Sequence, residues 1–398
     1  MADRHAVCVA GNLIMNPIYL DYAATTPVRQ EVRDAMAPLL SDEFGNPSSK
    51  HHWGRVAIAR LEESRERAAA AIGVSPTEVL FVRGGTESDN LAILGRAAVQ
   101  GAHGDEPLVV ISAIEHKAVM EAAENVAASG GECVVVGVGR DGSIDRDALR
   151  AALGRRPAVV SMMWVNNEVG LVLPVVEVAE MAHAAGVVFH TDAVQAVGKL
   201  PVRLGETAID LATVTGHKIY GPKGTGLLVV RNDTEISPRV FGGGQERSLR
   251  PGTEDVAGAV GLSVAMELAV RDLEIEAERL AALRTRLEEA LEAELDSIMI
   301  HGAEAHRAPH ILSIGIPTID QDTVLAALDL EGIAVSGGSA CDSGAVAKSH
   351  VLLALYGDEA RGATVRYSLG RGTTAEHIDT AASATVAAVR RAETASLS

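Results

Sequence analysis

The sequence has few cysteines, no long apolar run and a deficit of positive charge, and each shortage excludes a class of protein. Its three cysteines, Cys8, Cys133 and Cys341, are not spaced for a metal site and are too few for a disulfide framework. No run of about 18 apolar residues occurs, so we expect no membrane span. The net charge of -18 argues against direct, sequence-independent binding to nucleic acid, which depends on lysine and arginine. A reducing cytoplasm fits this cysteine usage.

What is present suffices for a large folded core. The chain has 398 residues, 47% of them hydrophobic, and ~150 residues per domain predicts two or three domains. Residues 1–14 carry an apolar patch too weak for a secretory signal, and we expect a flexible extension there. A change of composition near residue 265 divides the remainder into a large domain, 15–264, and a small C-terminal domain, 265–398. The N-terminal segment 15–30 is assigned to the large domain, with packing on the small domain as the alternative.

Short apolar strands alternate with helical patterns through the large domain. Strands are predicted at 79–82, 108–112, 133–138 and 158–165, and helices at 52–71, after residue 117 and at 175–185. Alternation at this spacing indicates a mainly parallel sheet wrapped by helices. The second domain is predicted to begin with one long helix, 265–295, and to contain strands near 311–314 and 333–336 and helices at 321–328 and 375–389.

One glycine-rich loop carries the most informative lysine. Residues 215–226 contain Lys218, a histidine before it and four glycines, between short apolar strands at 210–214 and 227–230. A β-hairpin tip with a solvated lysine is one interpretation. Asp192, at the exit of the preceding apolar strand, favours another, in which the chain holds pyridoxal phosphate. Lys218 would then form a Schiff base, and the carboxylate would keep the pyridine nitrogen protonated.

Further candidates follow other predicted strands, where ligands bind in parallel sheets. Gly85 and Thr86 open a helix and could bind phosphate, although Thr86 could equally cap that helix in a capping-box-like start over residues 86–89. His116 has the alternative of a hydrogen-bonded structural histidine, and Asn167 that of a turn residue. Arg366 alternates with apolar residues, which predicts a solvated strand position, yet its fork suits a substrate carboxylate.

Cys341 lies in a loop of small residues, SGGSACDSG (336–344), without apolar neighbours. Cysteine usually packs as a small hydrophobe. An accessible thiol is instead expected of a nucleophile, and the loop composition favours that interpretation.

Taken together, these stretches resemble the cysteine desulfurases of the NifS/IscS type, in the class V branch of fold type I pyridoxal-phosphate enzymes. The resemblance runs from about residue 18 to residue 370. Its motifs are YLDYAATT (19–26), GTESDN (85–90), EHKAV (115–119), VNNE (165–168), GHK (216–218) and GGGQER (242–247). It implies an α/β large domain with a mainly parallel, seven-stranded type of sheet, and a smaller α+β C-terminal domain that carries the catalytic cysteine.

The resemblance also implies a role for each matching residue. Lys218 would hold the cofactor and move protons, assisted by His116 stacked on the ring, and Cys341 would be the nucleophile. Asp192 would pair with the pyridine nitrogen, and Gln195 with the phenolic oxygen. Asn167 and Arg366 would hold the substrate carboxylate, with Asn167 also at the cofactor. The phosphate would be held by Gly85, Thr86, Thr215 and His217, together with Thr253 of the other subunit of a homodimer.

The activity so implied is conversion of L-cysteine to L-alanine, with sulfur left on Cys341 as a persulfide and passed to an acceptor protein of iron–sulfur cluster assembly or thiolation. The rival enzyme is a selenocysteine lyase or another C–S lyase that forms no persulfide. A non-catalytic protein of the same fold is the rival from another class. Two departures from the family matter. Lys348 stands where proline is common, and the chain lacks the longer C-terminal tail with which some members dock a scaffold.

Overall fold

A computed structural model describes residues 7–9, 12–14, 17–317, 319–338, 349–360 and 362–396. The chain divides into two compact units. The small unit comprises Met1–Thr25, Asn167–Val172 and Glu274–Ser398, and the large unit comprises Thr26–Asn166 and Leu173–Leu273. Within the described residues, no helix combines the length and the apolarity needed to cross a bilayer. The predicted flexible extension, residues 1–14, falls largely outside the described residues.

The strands, in chain order, are β1 Val7–Val9, β2 Asn12–Ile14, β3 Ile18–Tyr19, β4 Val79–Val82, β5 Leu108–Ser112, β6 Glu132–Val136, β7 Val159–Ser161, β8 Phe189–Asp192, β9 Leu211–Thr215, β10 Gly226–Val230, β11 Met299–Ile300, β12 Ile311–Ile316, β13 Ile333–Ala334 and β14 Ala363–Ser368. The α-helices are α1 Gln30–Met36, α2 His52–Ile72, α3 Gly85–Ala102, α4 Lys117–Ala128, α5 Arg146–Leu153, α6 Val175–Ala184, α7 Val256–Arg271, α8 Leu273–Glu292, α9 Gln321–Leu330, α10 His350–Tyr356 and α11 Ala375–Ser396.

The large unit is built on a seven-stranded sheet of order β4-β10-β9-β8-β7-β5-β6. β10 runs antiparallel to both of its neighbours, whereas the pairs from β9 to β6 are parallel. The strands β5, β7, β8, β9 and β10 are buried along their whole length. The valine- and leucine-rich runs of β5 and β10 are typical of strands covered on both faces. The mainly parallel, helix-wrapped α/β class is therefore confirmed.

The small unit contains an antiparallel sheet of order β11-β12-β14 and the parallel pair β13-β3. Its core combines the sheet with side chains of α8, α9 and α11, among them the buried residues Leu287, Leu328 and Ile378. Inside this core the Tyr367 hydroxyl forms a 2.7 Å hydrogen bond with Thr385. This segregation of sheet and helices agrees with the α+β class. β1 and β2 form a separate antiparallel pair.

Two predicted elements are wrong in detail. The single helix over 265–295 is two helices, α7 and α8, which meet at Asp272. The Asp272 carboxylate accepts hydrogen bonds from Arg29 Nη1 at 2.9 Å and Arg271 Nε at 2.8 Å. Periodicity did not predict the break because one of these contacts comes from a distant part of the chain. The helix predicted to begin with a capping box at residues 86–89 begins at Gly85, and its N-cap is Gly84 at φ 133°.

Candidate active site

Lys218 lies in the turn between the antiparallel strands β9 and β10, so the hairpin interpretation is correct for the backbone. The lysine side chain is half-buried, so the part of that interpretation that made it a fully solvated lysine is not correct. Two residues that the sequence analysis missed hold this turn. Thr26 donates to the His217 carbonyl from its backbone N–H and its hydroxyl, both at 2.9 Å, and its hydroxyl accepts from Tyr220 N at 2.8 Å. The buried Lys199 donates to the Lys218 carbonyl at 3.4 Å.

Asp192 is the last residue of β8, beside β9 in the sheet. It is buried, and its Oδ1 accepts a hydrogen bond from Val194 N at 2.9 Å. Burial raises the pKa of the Asp192 carboxyl, and interactions with His116, the Val194 N–H and Lys218 oppose that rise. The structure therefore brings the predicted lysine, histidine and aspartate into electrostatic contact within the large unit. A further cation at this carboxylate would offset its remaining desolvation.

His116 caps the N-terminus of α4, and its Nδ1 accepts a hydrogen bond from Ala118 N at 3.1 Å. The structural interpretation of this histidine is thus correct, and it is compatible with the functional one. Because Nδ1 is an acceptor, the neutral ring carries its proton on Nε2. The cap fixes the tautomer and the orientation of the half-buried ring.

A phosphate would fit where β4 leads into α3. Gly84 at φ 133° leaves space, since a Cβ there would lie 3.9 Å from Thr215 Oγ1. Thr86 forms no cap, so the interpretation of Thr86 as a helix cap is wrong, and the first N–H groups of α3 are available to an anion. The Thr215 hydroxyl donates to the Thr225 carbonyl at 3.0 Å. Because a hydroxyl has one proton, Thr215 must rotate to donate to a phosphate.

The remaining candidates of the large unit differ in exposure. Gln195 is buried in the turn after β8, and Thr253 is exposed in the segment before α7. Burial lowers the pKa of His217 to about 4, with the charges of Lys218 and Lys223 acting in the same direction. His217 is therefore neutral at neutral pH and would contact a phosphate as a hydrogen-bonding group, not as a charge.

Arg366, on β14 of the small unit, is 1% exposed, so the interpretation as a solvated strand residue is wrong. Its Nη2 contacts Asp21 Oδ1 at 2.7 Å, and its Nη1 donates to the carbonyls of Asn167 at 2.9 Å and Gly338 at 3.3 Å. The structure thus brings two predicted substrate residues, Asn167 and Arg366, together. Within the described residues Arg366 Nε has no hydrogen-bond partner. A buried donor of this kind suits an anion.

Cys341, the predicted nucleophile, and Lys348, the departure in its loop, lie outside the described residues. The half-buried Cys133 is on β6, and burial raises the pKa of its thiol. A raised thiol pKa disfavours the thiolate, so Cys133 is a poor nucleophile.

Two further carboxylates, Asp89 and Glu115, are buried near Asp192. The Glu115 Oε1 atom accepts hydrogen bonds from Ser112 Oγ and, at 2.9 Å, from Met163 N. Burial is the main cause that raises the pKa values of both groups, and the charge of Asp192 adds to it. Neither residue was predicted, because their burial against Asp192 arises from tertiary packing alone.

The comparisons with known proteins indicate one family. Residues 18–380 match the family described as aminotransferase class-V. The chain is 41% identical to "Cysteine desulfurase IscS" of Dictyoglomus turgidum (strain DSM 6724 / Z-1310), over 91% of this chain and 92% of that protein. Among solved structures it is similar to a "NIFS-LIKE PROTEIN", with a TM-score of 0.86, 32% identity, and coverage of 94% of this chain and 99% of the other. It is also similar to "SspA in complex with cysteine", with a TM-score of 0.77, 33% identity, and coverage of 88% and 98%.

Replacing Glu115 by glutamine should flatten the pH dependence of the free energy of unfolding. Burial raises the pKa of this carboxyl from 4.5 to about 8 in the folded protein. Because the folded state keeps a proton that the unfolded state loses, Glu115 favours folding fully below its unfolded pKa, and this contribution falls as the pH rises toward 8. The free energy of unfolding, measured with urea between pH 4.5 and pH 8, is plotted against pH for wild type and variant. The two slopes should differ by about 1.4 kcal/mol per pH unit. Parallel curves would contradict the account.

Proposed function

The chain belongs to the aminotransferase class-V family, and we propose that it is a pyridoxal-phosphate-dependent cysteine desulfurase, a transferase that converts L-cysteine to L-alanine. The observation that carries the proposal is the cluster of Lys218, Asp192 and His116, which lie at or after the ends of β9, β8 and β5 of one sheet. A protonated pyridine ring needs a carboxylate partner at its nitrogen, and the buried Asp192 interacts with both Lys218 and His116. Relatives named for this activity, at 41% identity, support it.

Most of the residues proposed to hold the cofactor belong to the large unit. Lys218 would hold it covalently, Asp192 would pair with its ring nitrogen and Gln195 with its phenolic oxygen. The phosphate would be held by Gly85, Thr86, Thr215 and His217, joined by Thr253 of a second copy in a homodimer. When bound, pyridoxal phosphate supplies a sink for the electrons left when the substrate loses its α-proton.

Proton transfer would fall to the amine of Lys218. His116 assists through Nε2–H, because its Nδ1 is engaged at the helix cap. Asp192 would pair with the ring nitrogen and favour its protonated form. His217, neutral at neutral pH, adds no charge that would compete with this pair.

Arg366, with Asn167, is proposed to bind the carboxylate of L-cysteine. The buried Nε donor of Arg366 supports this role, since a carboxylate that accepts from Nε and Nη2 forms a bidentate, charge-assisted pair. The Asp21 carboxylate already accepts from Nη2 at 2.7 Å. It either shares the guanidinium with the substrate or gives way to it.

Cys341 is proposed as the nucleophile. Its thiolate attacks the sulfur of the bound cysteine, the substrate C–S bond breaks, and the carbon fragment takes up protons and leaves as alanine. The sulfur stays on Cys341 as a persulfide and passes to the thiol of an acceptor protein, an iron–sulfur scaffold or a thiolation relay protein. A thiol needs a reducing compartment to remain unpaired, which favours the cytoplasm.

Replacing Cys341 by serine should abolish persulfide on the protein and reduce alanine formation from L-cysteine by about 100-fold or more, since a hydroxyl is far less nucleophilic than a thiolate. The measurement is alanine release together with mass spectrometry of the intact protein. The matched control is Cys133→Ser, which should keep wild-type activity. Undiminished alanine from the Cys341 variant would exclude the persulfide route and favour a C–S lyase.

Replacing Arg366 by lysine should raise KM for L-cysteine and change kcat less. Loss of one charge-assisted hydrogen bond of about 1.5–3 kcal/mol corresponds to a rise of roughly 10- to 100-fold. The control is Arg279→Lys, because Arg279 is a partly buried arginine of the same unit that donates to the Gly370 and Thr373 carbonyls. Steady-state kinetics at saturating cofactor measures both. An unchanged KM would contradict the assignment.

A further inference from the structure

Three consecutive non-glycine residues of the large unit adopt left-handed backbone conformations. Glu246, Arg247 and Ser248 have φ values of 44°, 58° and 63°. Single non-glycine residues of this kind are uncommon, because Cβ collides with the backbone there. Three in a row persist only where the surroundings hold them. The turn precedes the segment that contains Thr253.

The turn is held by a buried ion pair. Arg65 on α2 contacts Glu246 with both ends of its fork, Nη2 to Oε1 at 2.7 Å and Nη1 to Oε2 at 2.9 Å. The two side chains are 12% and 3% exposed. Glu246 Oε2 also accepts from Phe81 N at 2.9 Å, and the Arg65 guanidinium lies over the Phe81 ring at 5.0 Å. Arg65 Nη1 further donates to the Val79 carbonyl at 2.9 Å.

This arrangement ties the turn to the strand that leads into the candidate phosphate site. Val79 and Phe81 are on β4, and β4 continues through Gly84 into α3. After the turn, Arg250 Nε contacts Glu87 Oε1 in the first turn of α3 at 3.0 Å. Gly252 N donates to Gln245 Oε1 at 3.2 Å, which closes the segment on itself. The residues just before Thr253 are thus anchored, and Thr253 itself is exposed.

A buried ion pair rarely adds much net stability, because desolvation of the two charges offsets their attraction. Its better-supported use is to specify one conformation among several. Here the carboxylate accepts three hydrogen bonds, two from Arg65 and one from Phe81 N, and all three hold Glu246, the first left-handed residue of the turn. The observations therefore indicate that this ion pair fixes the conformation and direction of the segment that follows the turn.

We propose that the Arg65–Glu246 ion pair is a positioning element, which holds the turn at residues 246–248 so that Thr253 is presented to the cofactor phosphate of a second copy of the chain. The inference rests on the proposed function, since it needs that phosphate and that homodimer. Two exposed apolar side chains precede the turn, Val240 at 54% and Phe241 at 83%. A second copy seated beside the segment would cover them.

The test compares the affinities of two ligands, pyridoxal phosphate and pyridoxal, which lacks the phosphate. Glu246→Gln should weaken binding of pyridoxal phosphate by about tenfold and leave that of pyridoxal within about twofold. Absorbance titration of the apoprotein measures both. The matched control is Glu132→Gln, which removes a bidentate but exposed ion pair with Arg155 and should change neither affinity. Equal loss for both ligands would overturn the proposal, because a general distortion does not distinguish them.

Arg65→Lys provides a second variant that keeps the charge and loses the fork, and it is measured in the same way if Glu246→Gln does not fold. It should show the same selective loss for the phosphorylated ligand. An unaltered ratio of the two affinities in this variant would overturn the proposal.

Heterodimers decide in which subunit the contact acts. In a heterodimer of a Lys218→Ala subunit and a Glu246→Gln subunit, the one remaining Lys218 is in the Glu246→Gln subunit and faces the wild-type turn of the other subunit. This heterodimer should bind pyridoxal phosphate like the wild type. A Lys218→Ala, Glu246→Gln subunit paired with a wild-type subunit should show the tenfold loss. The reverse pattern, or a wild-type chain that binds the cofactor as a monomer, overturns the inference alone. No adduct at Lys218 in the wild type would instead overturn the proposed function.

Discussion

The buried carboxylate of Asp192, at the end of β8, is the constraint on which the candidate site depends. Burial disfavours its charge, while interactions with His116, the Val194 N–H and Lys218 favour it. Asp89 and Glu115 lie close enough to interact with it, and burial raises the pKa of each. Three buried negative charges in one place would repel strongly. We therefore expect the cluster to hold one anion, on Asp192, which is the carboxyl that lies near Lys218 and accepts from the Val194 N–H.

This charge explains why the surrounding loops are built as they are. Lys218 must approach Asp192 from a strand beside β8, and the reversal of direction between β9 and β10 provides the tight turn that holds it there. That turn requires Tyr220 at φ 65°, a conformation that Thr26 stabilises through Tyr220 N. Glycine at position 226 is required by close packing, since a Cβ there would lie 2.9 Å from the Cα of Gly84. The strand that follows the turn with Lys218 thus packs closely against the candidate phosphate site at Gly84.

Much of this could be predicted from the sequence because it is local. Strand and helix periodicity indicated the mainly parallel sheet, and Lys218 and Asp192 were identifiable because each follows an apolar run. Contacts between distant segments could not be predicted in this way. Thr26 and Lys199 at the lysine turn, Arg65 with Glu246, and the burial of Arg366 depend on which segments meet in three dimensions. The break at Asp272 was missed for the same reason, since Arg29 supplies one of its contacts from far along the chain.

The most direct test of the account is to reduce the protein with borohydride after incubation with pyridoxal phosphate and to locate the label by peptide mass mapping. The account predicts one pyridoxyl group per chain, on Lys218, and its loss when Asp192 is replaced by alanine and the cofactor is held less tightly. A label on Lys199, which lies beside the same turn, or no stable label at all, would contradict the assignment of Lys218 and Asp192 as the pair that holds the cofactor.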